Sequence, residues 1–279
     1  LIVFIALLKM SRLNNAIIAI ATLAAGYFLS HCIFSVQTFF ADLIAFTLAI
    51  SVGNIHNDLL DIETDKLNRP NRPLPSGKIS IKATKISILI LSISTLLPAF
   101  VKEVQSITHL TFYTLLLALL FVYNKYAKRI PFLKNFTVAF LCTTPLIRLM
   151  FYESASISPL IAPIIFAFLY TLSREIQKDL EDITGDKAAG ILTLPILAGE
   201  KKASKLASFQ IILALFLLPL PVLLNWYSSL FLLALIFLIP LSVWIIHSLN
   251  KKDYSKARAL TKIAMILGII FLILSEIFS

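Results

Sequence analysis

Read for runs of apolar residues, the chain divides into nine long stretches at about 13–32, 38–55, 83–101, 108–123, 133–152, 157–173, 207–225, 228–248 and 257–278. A helix needs about 20 apolar residues to cross the bilayer core, at a rise of 1.5 Å per residue. The pattern therefore predicts an all-α, polytopic membrane protein with nine transmembrane helices. The runs at 108–123 and 157–173 are the shortest, so a miscount is to be sought there first. Residues 1–8, LIVFIALL, are apolar but too short to span, and they read as an interfacial helix leading into the first span. No small-residue cleavage site follows them, which argues against a signal-peptide core.

Composition and charge sharpen this picture. Apolar residues make up 58% of the chain and charged residues only 14%. With nine spans, all of the 25 Lys and Arg except Lys102 and Arg148 fall on one side of the membrane. The positive-inside rule makes that side cytoplasmic. Arg148 lies inside the fifth span near its far end, where it is expected to snorkel or to pair with Glu153. The net charge of +10 is thus an orientation signal. It does not describe a nucleic-acid-binding face, because the basic residues sit in short loops between spans. Cys32 and Cys142 lie in or near spans and read as small core residues. The four His show no metal spacing, and His56 reads as a bystander.

Two loops on the basic side are long, about 56–82 and 174–206, inside what otherwise reads as one intramembrane domain spanning 1–279. Long loops in a compact domain are usually functional. Both begin with the same acidic phrase. NDLLDIETDK at 57–66 and KDLEDITGDK at 178–187 share Asp58, Leu59, Asp61, Ile62, Asp65 and Lys66 with Asp179, Leu180, Asp182, Ile183, Asp186 and Lys187. Most of the chain's 15 acidic residues are gathered there.

On a helix, residues three and four apart share a face. Asn54, Asp58, Asp61 and Asp65 form one stripe, and Glu175, Asp179, Asp182 and Asp186 form another. Each helix end is expected to aim three or four carboxylates at one point. That is unfavourable at a helix C-terminus unless something positive fills it. A set of hard oxygen donors without His or Cys points to Mg²⁺, with Mn²⁺ as the alternative. Because Mg²⁺ binds through one or two carboxylates plus substrate phosphates, two acidic clusters among basic loops look like a metal–diphosphate site. Arg69, Arg72, Lys78, Lys128, Arg129 and Lys187 are available to hold phosphate oxygens.

These residues carry a resemblance to the UbiA family of intramembrane prenyltransferases. Asn57, Asp58, Asp61 and Asp65 match the family's N-D-x-x-D-x-x-x-D motif. Arg72 to Gly77 match R-P-L-P-S-G, and Asp179, Asp182 and Asp186 match D-x-x-D-x-x-x-D. Tyr123, Asn124 and Lys128 match Y-[SN]-x-x-x-K, and Arg12 to Asn15 match R-P-x-N with Leu13 in place of Pro. The resemblance covers essentially the whole chain. It implies nine transmembrane helices around a central cavity open to the cytoplasmic side, in the cell membrane. The stretch SREIQKDLEDITGDKAAGILTLPILAG is similar to the archaeal ether-lipid branch of the family. That branch transfers a geranylgeranyl group from geranylgeranyl diphosphate to the glycerol hydroxyl of geranylgeranylglyceryl phosphate.

The resemblance also implies roles. Asn57, Asp61 and Asp65 would hold one Mg²⁺ and Asp182 and Asp186 a second, with Asp58 and Asp179 as further catalytic carboxylates that either bind metal or support the residues that do. Arg69, Arg72, Lys78, Lys128 and Lys187 would bind diphosphate. Arg12 and Asn15 would address the acceptor phosphate, and Tyr123 would offer a π-face to the allylic cation. The alternatives are an aromatic, quinone-pathway prenyltransferase of the same fold and, from another class, a cation transporter. Transporters place ionisable residues near the bilayer midplane beside broken helices, whereas these acids lie at the cytoplasmic edge. A CDP-alcohol phosphotransferase needs an Asp-Gly frame that neither phrase has. The oligomeric state stays open.

Overall fold

The computed structural model describes residues 2–30, 36–100 and 106–278, with the side chains of Ile2, Asn14, Asn15, Leu67, Asn68 and Ser106 outside the description. Among the described residues every regular element is helical. The chain forms two compact units, Leu1–Ala24 with Ile33–Tyr126 and Ala25–Cys32 with Ala127–Ser279.

The first unit holds α1 (Ile2–Ser11), most of α2 (Leu13–Leu29), α3 (Val36–Leu60), α4 (Ile62–Asn68), α5 (Ile81–Leu96) and α6 (Ser106–Lys125). α3 is its centre, and α1, α5 and α6 pack on it. Ala41, Ala45, Ala49 and Gly53 recur every four residues on the buried face of α3. Small residues at helix spacing let neighbouring helices approach closely. A Cβ on Gly53 would come within 3.0 Å of Leu120 Cδ2 on α6, so the glycine is needed for that approach. Polar pins reinforce it. Tyr113 Oη donates to the fully buried Asp42 Oδ1 at 2.9 Å. Asn124 Nδ2 donates to Gly53 O at 2.8 Å.

The second unit holds α7 (Leu133–Leu149), α8 (Ser158–Glu181), α9 (Ile183–Ala188), α10 (Leu194–Ala198), α11 (Glu200–Leu217), α12 (Leu220–Leu223), α13 (Ala234–Asn250) and α14 (Tyr254–Ile277). Here α8 is central, packed on by α7, α11 and α14. A buried chain of hydrogen bonds ties three of these helices. Thr261 Oγ1 donates to Gln177 Oε1 at 3.0 Å, Gln177 Nε2 to Ser173 Oγ at 3.0 Å, and Ser173 Oγ to Ala207 O at 2.8 Å. Between membrane helices each such bond contributes about 0.6–2 kcal/mol.

Each of the nine apolar runs falls on a helix. Among the described residues seven helices are long and apolar enough to cross a membrane, and an eighth span is counted if the pair Val3–Ser11 and Ala16–Leu29, bent by 54°, is one. The chain is an integral, multi-pass membrane protein. The runs expected to be weakest are not so. They become helices of 20 and 24 residues, because helical hydrogen bonding continues through polar ends that hydropathy excludes. α7, with 17 residues, falls short, as does α2 taken alone.

Arg148 departs from expectation. It is fully buried, donating Nη2 to Tyr152 Oη at 3.0 Å with its guanidinium 4.4 Å from that ring's centre, so it does not snorkel. Cys142 is an exposed free thiol and not a core residue. Cys32, His31 and Lys102 lie outside the described residues.

Candidate active site

The first acidic phrase does not lie on one unbroken helix. α3 ends at Leu60, Asp61 sits in a break at φ −96°, ψ 11°, and α4 restarts at Ile62. A run of carboxylates opposes the partial negative charge of a helix C-terminus. Restarting places Glu63 and Asp65 in a first turn, where acid is favourable. Hydrogen bonds from Asp61 N to Asn57 O (3.0 Å) and from Asp65 N to Asp61 O (2.8 Å) carry the spacing of four across the break.

The carboxylates nevertheless do not all converge. Asp58 and Asp65 are buried and face arginines. Arg72 Nη1 reaches Asp65 Oδ2 at 2.6 Å and Asp58 Oδ1 at 3.2 Å, and Arg12 Nη2 reaches Asp58 Oδ1 at 2.5 Å. Asp61 Oδ2 accepts instead from Asn57 Nδ2 at 3.1 Å. Asn54, the fourth member of the expected stripe, donates to Ser11 O at 2.9 Å.

Both arginines are held by unusual backbone. Arg12, between α1 and α2, has φ 51°, a left-handed conformation that costs a side-chain-bearing residue about 1–2 kcal/mol. Arg72 begins a tight turn in which Ser76 N bonds Arg72 O at 3.0 Å, Lys78 N bonds Pro73 O at 3.0 Å, and Gly77 takes φ 72°.

The second phrase repeats the design. α8 ends at Glu181, Asp182 occupies the break at φ −87°, ψ 1°, and α9 begins at Ile183 with Asp186 in its first turn. Asp179 is buried, with Lys134 Nζ at 2.8 Å from Oδ1 and Asn135 Nδ2 donating to Oδ2 at 2.9 Å. Asp182 is exposed and Asp186 half-buried. Burial raises the Asp186 carboxyl above the ordinary aspartate range. The charges of Asp179 and Asp182 add to that rise, while Lys134 and Lys178 oppose it. Glu175, expected in this stripe, pairs with its neighbour Arg174 at 2.7 Å. Arg258 of α14 braces Glu181 with Nε 3.0 Å from Oε2.

The remaining expected residues are placed less tightly. Arg69, Lys78, Arg129 and Lys187 are exposed, and Tyr123 and Lys128 are half-buried. The side chain of Asn15 lies outside the described residues. His56 makes packing contacts, with Asn124 Nδ2 3.3 Å from its Nδ1 and Phe121 edge-on at 4.6 Å. Lys134 and Asn135 went unread in the sequence. Their one signal is adjacency at the start of an apolar run.

Among the described residues no three His, Cys, Asp or Glu side chains form a ready metal cage. For Mg²⁺ that is no obstacle. It dehydrates reluctantly and binds through one or two carboxylates, with waters and substrate phosphates completing the shell. Asp61 in the first unit, and Asp182 and Asp186 in the second, are oxygen donors at or just beyond helix breaks and not fully buried, which suits such an ion in each unit.

Comparison with known proteins shows the family and the fold. The model of the UbiA prenyltransferase family matches residues 18–272. Digeranylgeranylglyceryl phosphate synthase of Sulfolobus acidocaldarius is 30% identical over 260 residues, 92% of this chain and 93% of that one. A solved structure of a digeranylgeranylglyceryl phosphate synthase superposes with a TM-score of 0.84 at 28% identity, covering 99% of each chain. A UbiA homolog from Archaeoglobus fulgidus, solved with GPP and Mg²⁺ bound, shares the fold at a TM-score of 0.65 and 17% identity, covering 96% of this chain and 99% of that one.

Proposed function

The chain belongs to the UbiA prenyltransferase family, and on that premise we propose that it makes digeranylgeranylglyceryl phosphate. It transfers a geranylgeranyl group from geranylgeranyl diphosphate to the free glycerol hydroxyl of geranylgeranylglyceryl phosphate. The observation that carries this reading is the likeness to a synthase of that name along nearly the whole of both chains. The twin carboxylate phrases supply a chemistry that suits it. The protein works as a single intramembrane domain of nine spans, with α2 and α7 counted among them. It sits in the cell membrane with both acidic phrases on the cytoplasmic side.

In this reading Asn57, Asp61 and Asp65 hold one Mg²⁺, and Asp182 and Asp186 hold a second. When bound, the ions neutralise charge building on the departing diphosphate. Arg72, Lys128 and Lys187 bind diphosphate oxygens, with Arg69 and Lys78 at the exposed margin. Arg12 and Asn15 address the acceptor phosphate. The bond from C1 to the diphosphate oxygen breaks, its electron pair leaves with diphosphate, and the glycerol oxygen bonds C1 as it gives up its proton. Tyr123 offers its ring to the allylic cation. An intramembrane enzyme suits this reaction because both prenyl chains already reside in lipid.

The test is a radiolabelled transfer assay in detergent. Geranylgeranyl diphosphate and Mg²⁺ are supplied with geranylgeranylglyceryl phosphate or, in parallel, with 4-hydroxybenzoate. Label in the doubly ether-linked lipid is the expected outcome. Label on the aromatic ring would move the protein to a quinone-type acceptor, and transfer to neither would overturn the reading.

A further inference from the structure

The two phrases are copies in sequence, and their first aspartates are treated alike in the structure. Asp58 is 5% exposed and Asp179 is 4% exposed. Each is held by groups from distant parts of its own unit. Asp58 has Arg12 and Arg72, while Asp179 has Lys134 on Oδ1 and Asn135 on Oδ2. Asp182 and Asp186 differ from Asp179 in both respects. They lie at or past the helix break and retain access to solvent.

This contrast bears on which carboxylates can bind metal. An Mg²⁺ ligand must present an oxygen whose negative charge is not already answered. A carboxylate with an ammonium 2.8 Å from one oxygen and an amide 2.9 Å from the other is poorly suited to that task. It is well suited to orienting the ammonium. Lys134 is the second residue of α7, behind Phe132 in a left-handed conformation at φ 65°, so the start of this helix is sharply defined. An ammonium carries three N–H donors, of which Asp179 Oδ1 takes one. Asn135 is 1% exposed, and its Nδ2 must face Asp179 because only the amide nitrogen can donate. Its Oδ1 is thereby left a buried acceptor with no hydrogen-bond donor. A residue packed only to join two helices would rarely be left so.

We propose that Lys134 binds the substrate diphosphate beside the second acidic phrase, and that Asp179, with Asn135, is its positioning residue and not a metal ligand. The inference rests on the reading given under Proposed function. The bland alternative is that Lys134 and Asp179 merely tie α7 to α8. A structural tie would lower stability and turnover together without separating affinity for diphosphate from affinity for Mg²⁺.

The experiment measures transfer by the full chain in detergent, varying geranylgeranyl diphosphate and Mg²⁺ independently, with inhibition by inorganic pyrophosphate as a second readout. Lys134→Met is expected to raise KM for geranylgeranyl diphosphate and Ki for pyrophosphate by about tenfold, the scale of one lost charge-assisted contact. Half-saturating Mg²⁺ is expected to stay put, and Lys134→Arg should recover most of the loss. Asp179→Asn should copy Lys134→Met, and the double variant should be no worse than either single one, because the two residues act as a unit. Asp182→Asn should instead raise half-saturating Mg²⁺. The proposal is overturned if Asp179→Asn shifts the Mg²⁺ dependence as Asp182→Asn does. It is equally overturned if a folded Lys134→Met, or Lys134→Gln should Met not fold, leaves KM and Ki unchanged. Wild-type protein that releases no diphosphate with either acceptor defeats the functional reading itself. Normal wild-type turnover with an unmoved Lys134 variant defeats this inference alone.

Discussion

Asp61 and Asp182 hold the same place in two copies of one phrase, in the break between a long helix and a short one. Neither is buried, so truncation leaves no core cavity. Asp61→Ala and Asp182→Ala are each expected to abolish transfer with little change in thermal unfolding in detergent. Retained turnover in both at excess Mg²⁺ would remove the two-cluster mechanism. Arg72 behaves in the opposite way. It faces two buried carboxylates, and Arg72→Ala strands Asp65 and leaves Asp58 with Arg12 alone, at a cost of about 3–5 kcal/mol, seen as a marked fall in Tm. Asp186 adds a pH dependence. Its carboxyl is raised in the folded protein, chiefly by burial. The folded state therefore holds that proton more tightly than the unfolded chain does. The stability this contributes is fully present below the ordinary aspartate pKa and is lost as pH rises through the higher, folded value. Without Mg²⁺, wild type should lose stability across that window and Asp186→Asn should not. Superimposable Tm-versus-pH curves for the two would count against it.

At the scale of elements, the apolar periods located every long helix, because the requirement to bury or lipidate an apolar stripe is local. Where helices stop was less legible. α8 runs to Glu181, well past the apolar run, and α11 begins at Glu200, before it. Hydropathy reports the membrane's edge, whereas the helix ends where its backbone bonds end. Both expected loops prove to be partly helical for the same reason. The turn after α4 depends on Gly77 at φ 72° with nothing near its Cα to clash. Gly77→Ala should cost about 1–2 kcal/mol through backbone strain alone. Because that turn carries Arg72, KM for geranylgeranyl diphosphate should rise as well. A Tm and KM equal to wild type would show that the turn does not set the arginine's position.

For the whole molecule, the proposed orientation rests on the charge asymmetry. Lys201 and Glu153 are both exposed, and the nine-span count places them on opposite sides. With Cys32 and Cys142 replaced by Ser, Lys201→Cys should react with a membrane-impermeant maleimide in inside-out vesicles only, and Glu153→Cys in right-side-out vesicles only. Labelling of both from one side would mean an even number of spans between them, and so a wrong count. The family assignment was also legible at this scale. Its motifs are short runs of fixed spacing, which survive in a sequence whatever the packing.

Composition and periodicity determined by themselves that this is a multi-pass membrane protein whose described residues form helices, and charge placement and spacing support the proposed orientation and the proposed hard-cation role of its scarce carboxylates. Those properties depend on residues near one another in the chain. Which aspartate meets which cation was decided only by tertiary structure. Arg12 lies 46 residues from Asp58, and Asp179 meets Lys134 from the start of α7, beside Asn135, which lies 44 residues away. Spacing along a helix sets the face on which a carboxylate stands. The counter-charge it meets there comes from another helix, and the packing of small-residue faces and the start of α7 bring it within reach.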